Sequence, residues 1–283
     1  MIGHPGADDL PQLSALWREA FGDTEEETAF FFQYRHRAEN MLVLRLEDRI
    51  AGMLTMLPVA LLAGGKALKA RYVFAIATKE SYRNRGVSTQ LLAAANAAAA
   101  AEGCAATLLV PANERLFVFY GKRAYETTFY TDVLTFEAAA LAAAPVAGAF
   151  SPCGVDEWSR MRDAAFGGSS LYARWDRDAL SYIIWSVEAG GGGVLCLNGI
   201  SGSAAAVCER REDTLRITEL AGRMDPREAA ALAIRRFPAA RCELRLRQGE
   251  ARGARTVPFG MVRWLTAPPK IQGAPNYLAL AKD

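Results

Sequence analysis

The sequence is poor in the residues on which several kinds of catalysis depend. Its 283 residues include only two histidines, His4 and His36, so a histidine-rich metal site is excluded and no metal is expected. Serine–histidine or cysteine–histidine catalysis would have to use one of these two, and no nucleophile motif accompanies either. The cysteines form no C-x-x-C pair, which predicts reduced, mostly buried thiols in a cytoplasmic protein. They are Cys104, Cys153, Cys196, Cys208 and Cys242.

The sequence also lacks a strong charge of either sign and an uninterrupted apolar run of membrane length. A net charge of +2 creates no extended basic field, so nucleic acid is not an expected partner. The first residues lack the basic and apolar regions of a signal peptide. Residues 91–110 are almost wholly apolar, but Asn96 and Glu102 interrupt them. An alanine-rich helix that ends at Gly103, followed by a strand, explains them better than a membrane span.

One stretch joins a predicted strand to a predicted helix through a loop suited to an anion. The β-rich run ends at Thr78, the helix begins near Gly86, and the pattern Arg83-x-x-Gly86-x-Ser88 spans the junction. Backbone N–H groups at a helix N-terminus have no partners, and the helix dipole favours an anion there. Gly86 lets the backbone approach closely because it has no Cβ. The loop therefore suits a pyrophosphate, although a plain helix start with surface arginines would show the same pattern.

This stretch resembles the acetyl-CoA signature of the GCN5-related N-acetyltransferases (GNAT), written Q/R-x-x-G-x-G/A. Arg83 and Gly86 fit the signature, and Ser88 stands where glycine or alanine is usual. The resemblance implies that backbone N–H groups of residues 85–89 hold the pyrophosphate of acetyl-CoA, and that a backbone N–H of residues 76–78 stabilises the oxyanion. The coenzyme-binding residues implied by the resemblance to this family are Ile76, Ala77, Thr78, Arg83, Asn84, Arg85, Gly86, Val87, Ser88 and Thr89, together with Asn113 from a second segment at residues 111–125.

A second segment, residues 111–125, resembles the motif N-x-x-A-x-x-x-Y-x-x-x-G-F of the same family. The final Gly-Phe is replaced by Ala124-Tyr125, which keeps a small residue before an aromatic one. On a helix, Asn113 and Tyr120 fall on one face, and that face can lean over a coenzyme. Aromatic residues at this spacing are also typical of a buried core.

The reaction of the family requires two proton transfers, and the resemblance assigns one of them. Tyr120 matches the general acid that protonates the leaving thiolate, which a phenol with a pKa of about 10 can do. The proton of the attacking amine has three candidate acceptors: the acidic cluster at residues 25–27, a relayed water, and the C-terminal carboxylate of Asp283. In the enhanced-intracellular-survival branch of this family, which the chain resembles, the C-terminus of the chain itself enters the active site.

The predicted elements occur twice in the same order. Residues 1–137 read α-α-β-β-β-α-β-α-β-β, which indicates a mixed α/β (α+β) sheet. Residues 138–149 are rich in alanine, proline and glycine and predict a linker, after which residues 150–283 repeat the order. A helix in this second half begins at Asp225-Pro226, with an N-cap followed by proline, and lacks the arginine–glycine pattern of the first half. We therefore expect a degenerate second domain without a coenzyme site.

Together these features resemble a tandem of GNAT-like acyl-CoA N-acyltransferase folds. The run Ala75-Ile-Ala-Thr-Lys-Glu-Ser-Tyr-Arg resembles in particular the enhanced-intracellular-survival branch of the family. The resemblance implies an enzyme that moves acetyl from acetyl-CoA to an amine of a small molecule or peptide by direct attack. Its acceptor cleft is expected between residues 25–36 and the second half. A non-catalytic acyl-CoA sensor on the same fold would dispense with Tyr120, and transferases that use another donor often lack the pyrophosphate loop. The oligomeric state is not indicated.

Overall fold

The computed structural model describes residues 1–143, 146–271 and 275–280. Apolar residues three and four apart, such as Leu13, Leu16 and Trp17 in the first helix, bury one face of most helices against the sheet. The α-helices are α1 (Leu10–Phe21), α2 (Glu25–Tyr34), α3 (Val87–Ala101), α4 (Glu114–Gly121), α5 (Ala138–Ala142), α6 (Val155–Phe166), α7 (Arg177–Ala189) and α8 (Pro226–Arg236).

The strands form one mixed sheet in which buried and partly buried residues alternate along several members. They are β1 (Ile2–Gly3), β2 (Met41–Leu46), β3 (Arg49–Ala63), β4 (Lys66–Thr78), β5 (Ala106–Leu109), β6 (Glu126–Glu137), β7 (Gly148–Pro152), β8 (Tyr172–Arg174), β9 (Gly193–Gly199), β10 (Ser203–Arg211), β11 (Thr214–Arg223), β12 (Arg241–Arg247) and β13 (Arg255–Trp264). The mixed α/β fold predicted from the sequence is confirmed.

The strand order reads alike from the two edges of the sheet. One edge runs β1-β2-β3-β4-β5 and the other runs β7-β9-β10-β11-β12, and the pairs β4–β5 and β11–β12 are both parallel. The last strand of each half pairs with a strand of the other half. Strand β13 pairs with β5, β6 pairs with β12, and β6 and β13 pair with each other at the centre. The two halves therefore share one continuous sheet, with β8 added beside β3.

The segment predicted as a linker, residues 138–149, contains regular structure. Its first residues form α5, and β7 begins at Gly148. Leu141 of α5 is buried in the same apolar cluster as Leu232 of α8, and Val146 packs against that cluster, so apolar contacts anchor the segment. The alanines that make this stretch resemble a linker are also the best helix formers, and tertiary contact with α8 decided between the two states.

The prediction of reduced cysteines is wrong for one pair. Cys153 and Cys196 form a disulfide, whereas Cys104, Cys208 and Cys242 are free and buried. The bonded residues are 43 apart in sequence and meet because β7 pairs with β9. The carboxylate of Glu157 lies within 4.8 Å of both sulfur atoms, but a disulfide offers no thiolate ligand to a metal.

The apolar residues 91–110 form most of α3 and the whole of β5, as predicted. Leu91, Leu92, Ala95 and Ala99 are buried. No helix within the described ranges has the length and apolar character needed to cross a membrane.

Candidate active site

The end of β4 is an open strand edge beside β5. The two strands pair only from Ala70 to Tyr72, although β4 continues to Thr78. Ala75 adopts a positive φ of 52°, and the register of β4 against β3 shifts at this point, so the strand bulges. Among the described residues, no strand therefore pairs with β4 on its β5 side beyond Tyr72. An extended ligand could bond to it there as an added strand would.

The loop after β4 presents unpartnered N–H groups at the start of α3. Gly86 is the N-cap residue with φ of 76°, and Asn84 is also left-handed with φ of 63°. Among the described residues, no acceptor lies within bonding distance of the backbone N–H groups of residues 84–89. Residues 83–86 are exposed, whereas Val87 is buried and fixes the helix. The arrangement is a solvent-facing helix N-terminus suited to an anion.

Two close contacts hold this loop against the sheet. The hydroxyls of Thr78 and Ser88 lie 2.8 Å apart and join the end of β4 to the first turn of α3. Gly52 of β3 lets the helix approach, because a Cβ there would lie 2.5 Å from Val87 Cγ1 and 2.8 Å from the Ala77 oxygen. Sequence reasoning missed Gly52, although a glycine inside an apolar strand is a recognised sign of close approach.

Three arginines surround the N-terminus of α3. Arg83 lies 3.7 Å from Glu80, and the guanidinium of Arg85 lies 5.5 Å from the centre of the Tyr82 ring. Arg123 donates to the Thr89 hydroxyl at 2.6 Å and thereby ties α4 to α3. Its guanidinium also lies 3.5 Å from the centre of the Phe119 ring. Arg123 was not among the residues predicted from the sequence, because only the tertiary fold brings it to the loop.

The predicted residues of α4 have different surroundings. Asn113 is the N-cap of α4, and its side-chain oxygen accepts a hydrogen bond from Leu116 N–H at 3.2 Å. Tyr120 is 7% exposed and lies in the same buried cluster as Val87 and Leu91 of α3. Its hydroxyl forms no hydrogen bond with a described residue, and burial raises the pKa of Tyr120 to about 12. The phenol is therefore held in its protonated form.

A cleft lies between the two halves, beside the open part of β4. Phe30 and Tyr34 of α2 contact Tyr182 and Trp185 of α7 at ring-centre distances of 5.5 and 5.6 Å. Residues of both halves line the cleft beside these aromatic contacts. From the first half they are Arg35, Leu57, Tyr72 and Phe74. From the second half they are Trp175, Ala179, Tyr182, Ile183, Ser186, Val187, Glu209, Thr218 and Leu280.

The C-terminal segment is fixed next to this cleft by a buried charged group. Tyr277 pairs with the backbone of Leu171, and its hydroxyl donates to Glu219 at 3.2 Å. Glu219 is fully buried and also binds the guanidinium of Arg162 at 2.9 Å. Leu280 reaches the cleft, whereas the predicted catalytic Asp283 lies outside the described residues.

The equivalent helix start in the second half is already occupied. The Asp225 carboxylate accepts from the N–H groups of Arg227 at 2.9 Å and Glu228 at 3.2 Å, which confirms the predicted N-cap. Pro226 follows it and has no N–H to offer. An external anion would meet a carboxylate at this position.

Comparison with known families shows which proteins the part of the chain around β4 and α3 is similar to. Residues 2–128 match the family model described as an acetyltransferase (GNAT) domain. Over these residues the resemblance to the GNAT family seen in the sequence is thus confirmed. No curated protein matches the sequence.

Several solved structures share the fold over nearly the whole chain. A GCN5-related N-acetyltransferase from Anabaena variabilis has a TM-score of 0.74 at 15% identity, over 94% of this chain and 73% of that one. A probable N-acyltransferase of unknown function from Enterococcus faecalis has a TM-score of 0.72 at 14% identity, over 93% and 72%. Eis1 from Mycobacterium abscessus has a TM-score of 0.66 at 12% identity, over 93% and 73%.

Proposed function

We propose that this protein transfers the acetyl group of acetyl-CoA to an amine. The observation that supports this most directly is the set of free N–H groups at residues 84–89, at the end of a strand with an open edge. The pyrophosphate would bind these N–H groups, and Arg83, Arg85 and Arg123 would supply positive charge. The rest of the coenzyme would lie along β4.

In this proposal each part of the site has one task. Acetyl-CoA supplies a reactive thioester. A backbone N–H of residues 76–78 polarises the thioester carbonyl, as a fixed donor worth a few kcal/mol. Tyr120 keeps its proton because its pKa is raised to about 12 by burial, and it gives that proton to the departing thiolate. Because α4 packs against α3, the phenol is held near the coenzyme.

The residue that accepts the amine proton in this proposal is not one of the carboxylates predicted from the sequence. Within the acidic cluster of α2, Glu27 is used in a capping box, where it accepts from Thr24 N–H at 2.9 Å. Among the described residues, the carboxylate that lines the cleft is Glu209. We infer that Glu209 accepts the proton, directly or through water, and the C-terminal carboxylate of Asp283 stays a prediction.

We also propose that the chain is a tandem of related domains, residues 1–137 and 150–283, of which the first binds coenzyme. The matching strand orders support this, and so does the Asp225 carboxylate on the helix start of the second half. Because β6 and β13 are exchanged, we do not expect either domain to fold alone. The predicted cytoplasmic location and the exclusion of nucleic acid stay predictions.

Two measurements test the proposed function. Titration calorimetry should show binding of acetyl-CoA, and a free-thiol assay should show release of coenzyme A that depends on an added amine. Binding without amine-dependent release over a wide amine panel would favour the acyl-CoA sensor. Absence of binding would contradict the proposal and favour a transferase that uses another donor.

A further inference from the structure

We propose that Arg35 binds a carboxylate of the acceptor, so that the acceptor bears an acidic group as well as its amine. This inference rests on the proposed function, because it assigns the cleft between the two halves to the acceptor. The cleft is in the right place for this role. Its floor includes Tyr72 and Phe74 of β4, and the strand continues directly into residues 76–78, where the thioester is proposed to lie.

Arg35 is a half-buried cation that pairs with no carboxylate of the described residues. It follows the last residue of α2 and lines the cleft. It forms no ion pair with any described residue, and its Nη2 atom is buried without a hydrogen-bond acceptor. Burial lowers the pKa of Arg35, an effect that Asp176 and Asp178 oppose from beyond contact distance. A desolvated guanidinium of this kind is stabilised when a carboxylate bonds to it.

A second donor without an acceptor lines the same cleft. Trp175 is 5% exposed, and its Nε1–H has no hydrogen-bond acceptor among the described residues. Its ring stands at 81° to the ring of Tyr72, with the centres 5.2 Å apart. Buried indole N–H groups usually have a partner. Two such donors on one cleft point to a ligand that brings acceptor oxygens.

The remaining lining indicates what else the acceptor contains. Aromatic and aliphatic side chains dominate it, and Glu209 supplies a negative charge from the second half. An ammonium group suits Glu209, and an apolar body suits the walls between. One guanidinium balances one carboxylate, whereas a phosphate dianion would remain partly uncompensated beside Glu209. The cleft therefore fits an amino acid or a small peptide with an apolar side chain.

The position of Arg35 also has a purely structural explanation, and the experiment must distinguish it from a role in ligand binding. A cation after the last turn of a helix interacts favourably with the helix dipole. If Arg35 has this role alone, its replacement should change stability and leave the preference for a carboxylate ligand unchanged. Arg37 offers a matched control, because it is exposed, lies two residues away and does not line the cleft.

The binding experiment uses the full chain and two probes of the same shape, 3-phenylpropionate and 3-phenylpropanol. Titration calorimetry should show that the wild type binds the acid at least about tenfold more tightly than the alcohol. Arg35→Gln should abolish this preference, Arg35→Lys should keep part of it, and Arg37→Gln should keep all of it. Thermal melts establish that each variant is folded. No preference in the wild type, or the same preference in Arg35→Gln, would overturn the proposal.

Turnover distinguishes failure of this inference from failure of the proposed function. With acetyl-CoA, the KM for phenylalanine should rise about tenfold or more in Arg35→Gln, while the KM for phenethylamine, which lacks the carboxylate, should stay unchanged. If both amines react and the variant alters neither KM, the inference is wrong and the acetyltransferase stands. If no amine reacts but binding of 3-phenylpropionate still depends on Arg35, the carboxylate site stands and the acetyltransferase function is wrong.

Discussion

Gly86 and Asp225 are the N-cap residues of matching helices, α3 and α8. Asp225 caps its helix with a side-chain carboxylate, whereas Gly86 provides no side-chain cap. Helix α3 connects β4 to β5, and α8 connects β11 to β12, the corresponding parallel pair. The Asp225 carboxylate bonds to the first N–H groups of α8. Gly86 has no side chain, so no described residue bonds to the first N–H groups of α3. An anion from outside the chain can therefore bind at the first helix and is repelled at the second.

This contrast predicts the effect of making the first helix resemble the second. Gly86→Asp should raise the Kd of acetyl-CoA by roughly a hundredfold or more, because the carboxylate would take the place of the pyrophosphate and repel it. Any residue other than glycine is strained at a φ of 76°. Gly86→Asn, which has the same shape without the charge, is therefore the control. Calorimetry that gave equal losses in both variants would assign the effect to strain, and an unchanged Kd would place the coenzyme elsewhere.

Tyr120→Phe should separate chemistry from binding. Removing the hydroxyl should lower kcat by about 100- to 10,000-fold, the usual contribution of a general acid, with the Kd of acetyl-CoA unchanged. Because burial raises the pKa of Tyr120 to about 12, the phenol keeps its proton at every pH well below that value. The wild-type kcat should therefore not fall between about pH 8 and about pH 10 through loss of this proton. A variant with full activity would remove Tyr120 from the mechanism.

Ser88, the residue that departs from the family signature, should matter for stability more than for the coenzyme. Its hydroxyl bonds to Thr78 at 2.8 Å, so Ser88→Ala should cost roughly 1 kcal/mol in the free energy of unfolding. Acetyl-CoA affinity should change less than about threefold, since alanine is usual at this position in the family. A double-mutant cycle with Thr78→Val measures the coupling by urea denaturation. A large loss of affinity at unchanged stability would show that the hydroxyl contacts the coenzyme.

The buried ion pair of the second half should be needed for stability. Glu219→Gln would leave the fully buried guanidinium of Arg162 without its counter-charge, which typically costs about 3–5 kcal/mol. The same change at the exposed pair of Asp156 and Arg177, Asp156→Asn, should cost less than about 1 kcal/mol. Urea unfolding compares the two variants. If Glu219→Gln is no more costly than the control, the network does not hold the segment around Tyr277.

Local sequence patterns predicted much of the part of the site that lies in the first half of the chain. The strand end at Thr78, the helix start after Gly86 and the N-cap at Asp225 were all read from neighbouring residues, and each is confirmed. Such features depend on backbone preferences and on hydrogen bonds within a few residues. Arg123, Glu209 and the other long-range contributors to the site were not predictable, because no local pattern specifies which distant side chain meets a loop.

By itself, the sequence determined where most of the helices and strands lie, the open helix start after Gly86 and the capped helix start at Asp225. These follow from glycine at position 86, from Asp225-Pro226 and from apolar periodicity, which act over a few residues. Only the tertiary structure decided that β6 and β13 change places, that Cys153 meets Cys196 and that Arg35 lines a cleft with Trp175. The reason is that strand pairing and burial join residues far apart in the chain, and their partners are selected by packing of the whole sheet.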